Sequence, residues 1–300
     1  MGTRVTQSML NQNMLYNLQR NAREMEKLQN QTATGKRINK PSDDPVVAVR
    51  SMFYRSSLIE IEQFKSNVDE GNSWMTTTDE ALDEVNSALQ RVRELTVQGL
   101  NGTNSPEDRN SIALEIEQLK EHIGEVANSQ IAGRFIFAGT DVKTAPYRDE
   151  PKGSPKEFLN SNQGKMESQI GQTNFVQINI PGKDVFNNDG NGGVFKVLSD
   201  IVSHFRSEDG AGTGILDKLD SQIDNVLAHR SELGARMNRL DLSKARLEQI
   251  EISTTSMLSR EEDVDISKVI IDFKAQENVH QAALSIGAKV IQTSLVDFLR

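Results

Sequence analysis

Cysteine is absent from the 300 residues, which removes thiol catalysis, thiolate metal sites and disulfide stabilisation together. Proline is scarce: of seven, four fall between Pro146 and Pro181 and none follows, so long stretches on either side are free to stay helical. Apolar residues are also few, at 36% hydrophobic and 5% aromatic, with a mean hydropathy of -0.52. A single thick core is disfavoured against thin helical bundles, and some helices are expected to need partners. Positive charge is outnumbered, 34 Lys and Arg against 43 Asp and Glu for a net -9, which argues against a nucleic-acid binder. No segment is apolar for long enough to suggest a membrane span, and the N-terminus lacks the apolar run and cleavage site of a secretory signal. If the chain leaves the cell, it is expected to do so by another route.

What the chain does have is helical periodicity. Leu216, Leu219, Ile223, Val226, Leu233, Met237, Leu240, Leu247 and Leu258 lie on a seven-residue repeat, the pattern of a coiled-coil seam. A straight helix over 216–258 would be roughly 65 Å long. Met75, Leu82, Val85, Leu89 and Val92 form a second seam within a helix expected over 45–99, with a possible break at Gly71 and Asn72. Asp44 before Pro45 is a helix start, and Ser105, Pro106 and Asp108 have capping-box spacing ahead of Ile112, Ile116, Leu119, Ile123 and Val126.

Between 131 and 193 the helical period gives way to Gly, Pro, Asn and aromatic residues, which predicts a small β-rich insertion. Its best strand is 172–180, where Val176, Ile178 and Ile180 alternate with Gln177 and Asn179. The two ends are helical but weakly so. Residues 5–33 place Leu15, Leu18, Ala22, Met25 and Leu28 on one face, and 261–300 place Ile266, Ile270, Phe273, Leu284, Ile291 and Phe298 on another. The first forty residues carry seven basic against two acidic side chains, the last forty four against seven. Pairing of the two ends is expected, with Arg20, Arg23 and Lys27 contributing charge attraction.

These segments resemble known ones. NSALQRVRELTVQ (86–98) with NGTNS (101–105), and RSELGARMNRL (230–240), are similar to the first long core helix and the C-terminal core helix of the bacterial flagellin family of axial proteins. Within that family, GKRINKPSDDP (35–45) and GRFIFAGT (133–140) resemble the hook–filament junction branch more than filament flagellin, and IQTSLVDFLR (291–300) agrees. The resemblance implies a mainly α, elongated coiled-coil rod with a small β-rich inserted outer domain. Residues 1–44 form an N-terminal arm, 45–140 and 194–260 the rod, 141–193 the outer insertion, and 261–300 a C-terminal arm pairing with 1–44.

The function implied is structural and not enzymatic: a ring of identical subunits between hook-associated protein 1 and flagellin, needed for filament assembly and motility. Export would use the flagellar type III route and a chaperone, without a cleaved signal, to an extracellular organelle; no nucleic-acid or membrane partner is implied. Two alternatives stay open, filament flagellin itself and a ligand-binding module carried on the insertion. The expected assembly interface comprises Leu15, Leu18, Met25, Leu28, Ile270, Phe273, Leu284, Ile291, Leu295 and Phe298. Arg91, Leu95 and Glu115 match a flagellin patch read by an innate immune receptor.

Chemistry finds little support. His122, His204, His229 and His280 form no His-Glu-x-x-His motif, and the nucleophile elbow and phosphate-binding loop are missing. NNDGNG (187–192) places Asn187, Asp189 and Asn191 as a calcium loop would, but Leu198 stands where a bidentate Glu is needed. An Asn-Gly turn is the simpler reading. Asp43 and Asp44 read as capping groups, not an acid pair, and no cofactor is expected.

Overall fold

The structure, a computed structural model, describes residues 7–101, 105–149, 156–187, 193–207 and 214–298, with side chains at all of these except 7, 8, 10 and 289–298. Four long helices dominate it: α1 (Gln7–Thr34), α2 (Pro45–Gly99), and, after α3 (Pro106–Ala127) and the strand-bearing region, α6 (Ile215–Glu262) and α7 (Ile266–Phe298). Ser105 caps α3 with the full reciprocal box: its hydroxyl accepts from the Asp108 N–H at 3.1 Å and its own N–H donates to the Asp108 carboxylate at 3.2 Å. α2 runs through Gly71 and Asn72 unbroken, correcting the expected interruption. A side chain at Gly71 would stand 3.2 Å from Ile178 and 3.3 Å from Leu240, so this glycine serves close packing and does not end the helix.

The strands are short two-stranded pairs: β1 (Gln130–Ile131) with β2 (Arg134–Phe135), β3 (Tyr147–Arg148) with β4 (Glu157–Phe158), and β5 (Glu167–Gln169) with β6 (Phe175–Gln177), all antiparallel. The first hairpin turns on Ala132 and Gly133, both at positive φ, as a two-residue primed turn requires. The strand expected over 172–180 shrinks to β6. Beyond it, the buried Asn179 accepts from the Met166 N–H and donates to the Gly164 carbonyl, doing with a side chain what a ladder would otherwise do. Two smaller helices follow, α4 (Gly182–Phe186) and α5 (Gly193–Arg206).

Packing divides the chain into two units, Met1–Glu60 with Ile250–Arg300, and Ile61–Gln249. The second holds the core. Met75, Leu82, Val85, Leu89 and Val92 of α2 meet Leu219, Ile223, Val226, Leu233 and Leu240 of α6 in one buried cluster, with Ile112, Ile116 and Ile123 of α3 and most of α5. Charged pairs flank the α2–α6 seam: Arg93 with Asp220, Arg230 with Asp79 and Asp83, and Lys244 with Asp69. Phe137, Phe158, Phe186 and Phe195 extend the cluster under the strands.

Candidate assembly interface

The first unit is built the other way round. Among its described residues one hydrophobic side chain is buried, Val269, while the buried polar ones are Gln31, Ser51, Thr254 and Glu262. Its large apolar residues face outward instead: Leu15 and Tyr16 on α1; Val46, Val49, Met52, Phe53 and Ile59 on α2; Ile250, Ile252 and Met257 on α6; Ile266, Ile270, Ile271, Val279, Leu284 and Ile286 on α7. Among its described residues the second unit leaves only Val97, Leu114, Leu159, Phe175, Leu227 and Leu242 of that kind exposed. A surface this apolar on a unit with so little interior marks an interaction face.

α1 and α7 pack against each other along a heptad seam. On α1 the half-buried positions are Asn11, Met14, Leu18, Asn21, Met25 and Leu28; on α7 the inner positions are Val269, Phe273, Gln276, His280, Ala283 and Gly287. The spacing alternates three and four on both, as knobs-into-holes packing needs. Half of these residues are polar or too small to fill a hole. Gln276 Nε2 points at the Asn21 side-chain oxygen, 3.4 Å away, and Met14 fills the space over Gly287, its Cε 1.8 Å from where a Cβ there would stand. Asn11 Oδ1 and His280 Nδ1 are enclosed without a hydrogen-bond partner, each at a cost of about 1–3 kcal/mol.

The expected interface residues therefore part into two sets. Leu18, Met25, Leu28 and Phe273 line the α1–α7 seam of the subunit, whereas Leu15, Ile270 and Leu284 face outward. Ile291, Leu295 and Phe298 lie outside the described residues as far as their side chains go. Ala22, placed on the same stripe by the sequence, is exposed, and Asn21 takes its position.

Charge also acts elsewhere than expected. Among the described residues, Arg20, Arg23 and Lys27 form no ion pair with α7. The ion pairs sit instead at the base of the unit, where the loop after α1 meets the bend between α6 and α7. Lys36 reaches Glu262 at 3.0 Å and Arg55 binds the same carboxylate; Arg37 and Arg50 approach Glu261 at 3.8 and 3.5 Å. Backbone bonds tie the same place: Arg37 N–H donates to the Glu262 carbonyl at 2.7 Å and Val264 N–H to that of Gly35 at 3.1 Å, and Gln31 Nε2 donates to the Arg37 carbonyl. Gly35 makes this turn at φ +68°. Sequence reading missed this clamp, although four cations near 36–55 and the Glu261–Glu262 pair were visible as charges.

Asp43 and Asp44 do what their positions suggested. Asp44 accepts from the N–H groups of Val46 and Val47 at the start of α2. Asp43 accepts from Lys40 and Asn39, and those backbone bonds hold its carboxyl below the ordinary value of 3.8. The histidines are dispersed: His122 meets Glu84, His229 lies near Glu232, His204 lies beside Phe205, and His280 lies in the seam. Asn187 ends α4, its N–H on the Lys183 carbonyl, while Asp189 and Asn191 lie outside the described residues. In the second unit Arg91 is closed onto Glu115 at 2.8 Å and Glu94 at 3.1 Å, and Leu95 is buried. Leu95 of this patch is therefore not at the surface of the subunit.

Comparison with known proteins identifies relatives of this chain. The bacterial flagellin N-terminal helical region matches residues 5–141 and the C-terminal helical region 216–299, with β3 to β6 falling between the two matches. The flagellin of Bacillus subtilis is 30% identical over 93% of each chain. The chain belongs to the bacterial flagellin family. Flagellar hook-associated protein 3 of Escherichia coli is 27% identical, again over 93% of each chain. In fold, the flagellar junction protein of Legionella pneumophila superposes with a TM-score of 0.60 at 16% identity, over 70% of this chain and all of that one. As a member of this family the chain is a flagellar structural protein, mainly helical with a small strand-bearing insertion.

Proposed function

We propose that this protein is the hook–filament junction subunit of its flagellum, a ring of identical chains seated between hook-associated protein 1 and flagellin. The observation that carries an assembly role is the inverted first unit: one buried hydrophobic residue, Val269, beneath an outward set that includes Leu15, Phe53, Ile270 and Leu284. Ordering a backbone residue costs about 1–2 kcal/mol, and a seam of Asn, Gln, Ala and Gly returns little of it. Burial of the outward residues against neighbouring subunits supplies the rest. In this reading 1–44 and 261–300 are the inner arms, 45–140 and 194–260 the wall, and 141–193 the outer insertion. Leu15, Ile270 and Leu284 contact neighbours, while Leu18, Met25, Leu28 and Phe273 hold the two arms together.

Support for the junction over the filament comes from the likeness to hook-associated protein 3 and from GRFIFAGT at 133–140, whose Ile136 and Phe137 are fully buried at the base of the strands. Identity to a flagellin is of the same order, which keeps the filament reading as the second one. Arms that stay loose until assembly also suit export unfolded, through the flagellar type III route with a chaperone and without a cleaved signal. The work is mechanical and calls for no bond-making reaction. Immunogold labelling of isolated flagella tests the proposal: a narrow band at the far end of the hook is expected. Label along the whole filament, or long filaments grown from the purified chain alone, would assign it to flagellin instead.

A further inference from the structure

An open cleft of about 370 Å³ lies between α3, β4, α4 and α5, wholly within the second unit. Its floor is Phe158, Phe186 and Phe195, whose rings pack with centroids 5.3 to 6.2 Å apart. Lys120, Lys156 and Lys196 stand around it, with Asn187 and Ser199 as neutral hydrogen-bonding groups and, among the described residues, Glu157 as the one lining carboxylate. Lys156 is engaged by Glu121 at 3.4 Å. Lys120, partly buried, donates to the Ser199 hydroxyl at 2.9 Å, and among the described residues neither it nor Lys196 has a carboxylate partner. Elsewhere in the second unit Arg93, Arg230 and Lys244 on the long helices are paired with acids. Two ammonium groups without a carboxylate partner among the described residues, on one concave surface in a chain of net charge -9, give the cleft a positive local field.

We propose that this cleft binds an acidic sugar unit, a uronic or sialic acid, with its carboxylate between Lys120 and Lys196. Ammonium groups recognise a carboxylate as point charges and ask for no bidentate geometry. The hydroxyls of a pyranose ring can meet Asn187 and donate to the remaining lone pair of Ser199, whose own proton is held by the Phe195 carbonyl, and its C–H face can touch the exposed edges of Phe158 and Phe195. A cleft of this size falls at the small end of the range for small-molecule sites, about 300–1,000 Å³, and accommodates a compact ring better than an extended acidic peptide. This site is independent of the assembly role, because none of its residues lies in the first unit.

The full chain should be titrated with glucuronate and with N-acetylneuraminate, against glucose, sodium sulfate and a glutamate-rich peptide, following amide shifts by NMR. Saturable binding of one acid sugar is expected, with shifts at Lys120, Lys196 and Ser199 and affinity at least about tenfold above glucose and sulfate. Lys196→Gln and Lys120→Gln should each weaken it about tenfold, the scale of one lost charge-assisted hydrogen bond. Lys196 is exposed, so its variant is expected to keep the parent melting curve and to assemble normally. Preference for the peptide, equal response to sulfate, no saturable binding, or undiminished affinity in a folded Lys196→Gln chain would each overturn the proposal.

Discussion

Replacing Leu15, Ile270 and Leu284 together by serine separates folding of the subunit from its assembly. In the free chain these side chains are 58%, 46% and 50% exposed, so about half of each remains to be buried by a neighbour. Complete burial of a leucine or isoleucine is worth about 1.5–3 kcal/mol, leaving about 1 kcal/mol or slightly more for each to gain on assembly. The triple variant should therefore lose about 3–4 kcal/mol of association free energy per subunit. At about 1.4 kcal/mol per decade, the concentration needed for assembly rises some 100- to 1,000-fold. Pelleting of purified subunits onto isolated hooks reads this directly. Gln12, Gln29 and Gln281 are also exposed on α1 and α7, and changing all three to serine controls for the lower helix propensity of serine. The melting of the second unit, which contains none of these positions, should stay within about 0.5 kcal/mol of the parent. If the leucine and isoleucine variant pelleted at the parent concentration, or the glutamine control failed equally, the outward face would not be an assembly surface.

Three further outcomes follow from single sites. A Cβ at Gly124 would stand 2.2 Å from the ring of Tyr147, which is buried and stacked on Phe195; Gly124→Ala should cost about 1–3 kcal/mol of overpacking, read by denaturant unfolding of the second unit. Ser105→Ala removes the hydroxyl half of the α3 cap and leaves the backbone N–H on the Asp108 carboxylate; it should lower the same transition by about 1 kcal/mol. Asp43 has a folded pKa below its ordinary 3.8, so its stabilising effect on the loop is complete above that value and fades as the pH falls through the lowered one. Amide shifts of Asn39 and Lys40 should titrate below pH 3.8, and Asp43→Asn should abolish that titration.

The long seams and caps were legible because they are redundant. The apolar heptads of α2 and α6 each bury one face against the other, and Asp44, Ser105 and Asp108 cap where their spacing said. The terminal helices were legible as helices but not in phase. The sequence chose Leu15, Ala22, Ile270 and Leu284; the inner positions are Met14, Asn21, Val269 and Ala283, each one residue earlier. A stripe averaged over large apolar residues must miss when a helix has two apolar faces, one turned to its partner in the same chain and one outward. The averaged direction then falls between them. Hydrophobicity also gave no weight to Gln276, His280 and Gly287, which hold inner positions through shape and hydrogen bonding. The strand-bearing segment was found by its loss of period. It opens at Gln130, beside the position near 131 where the period was expected to end, and the first hairpin closes on the two-residue turn at Ala132 and Gly133.

The polarity of the α1–α7 seam is itself an argument about order of events. An interface filled with leucine at every inner position would close in the free subunit and fix the arms before a neighbour arrived. Asn21 against Gln276 instead specifies register at a cost in stability, the use best attested for a buried polar layer in a coiled coil. Gly287 beneath Met14 permits close approach in that register and offers no hold of its own. The clamp of Lys36 and Arg55 on the buried Glu262 fixes the other end of the pair. The subunit thereby knows how its arms should meet without being committed to hold them there. On the proposed assembly role, commitment comes from burying the outward isoleucines, leucines and phenylalanine between subunits.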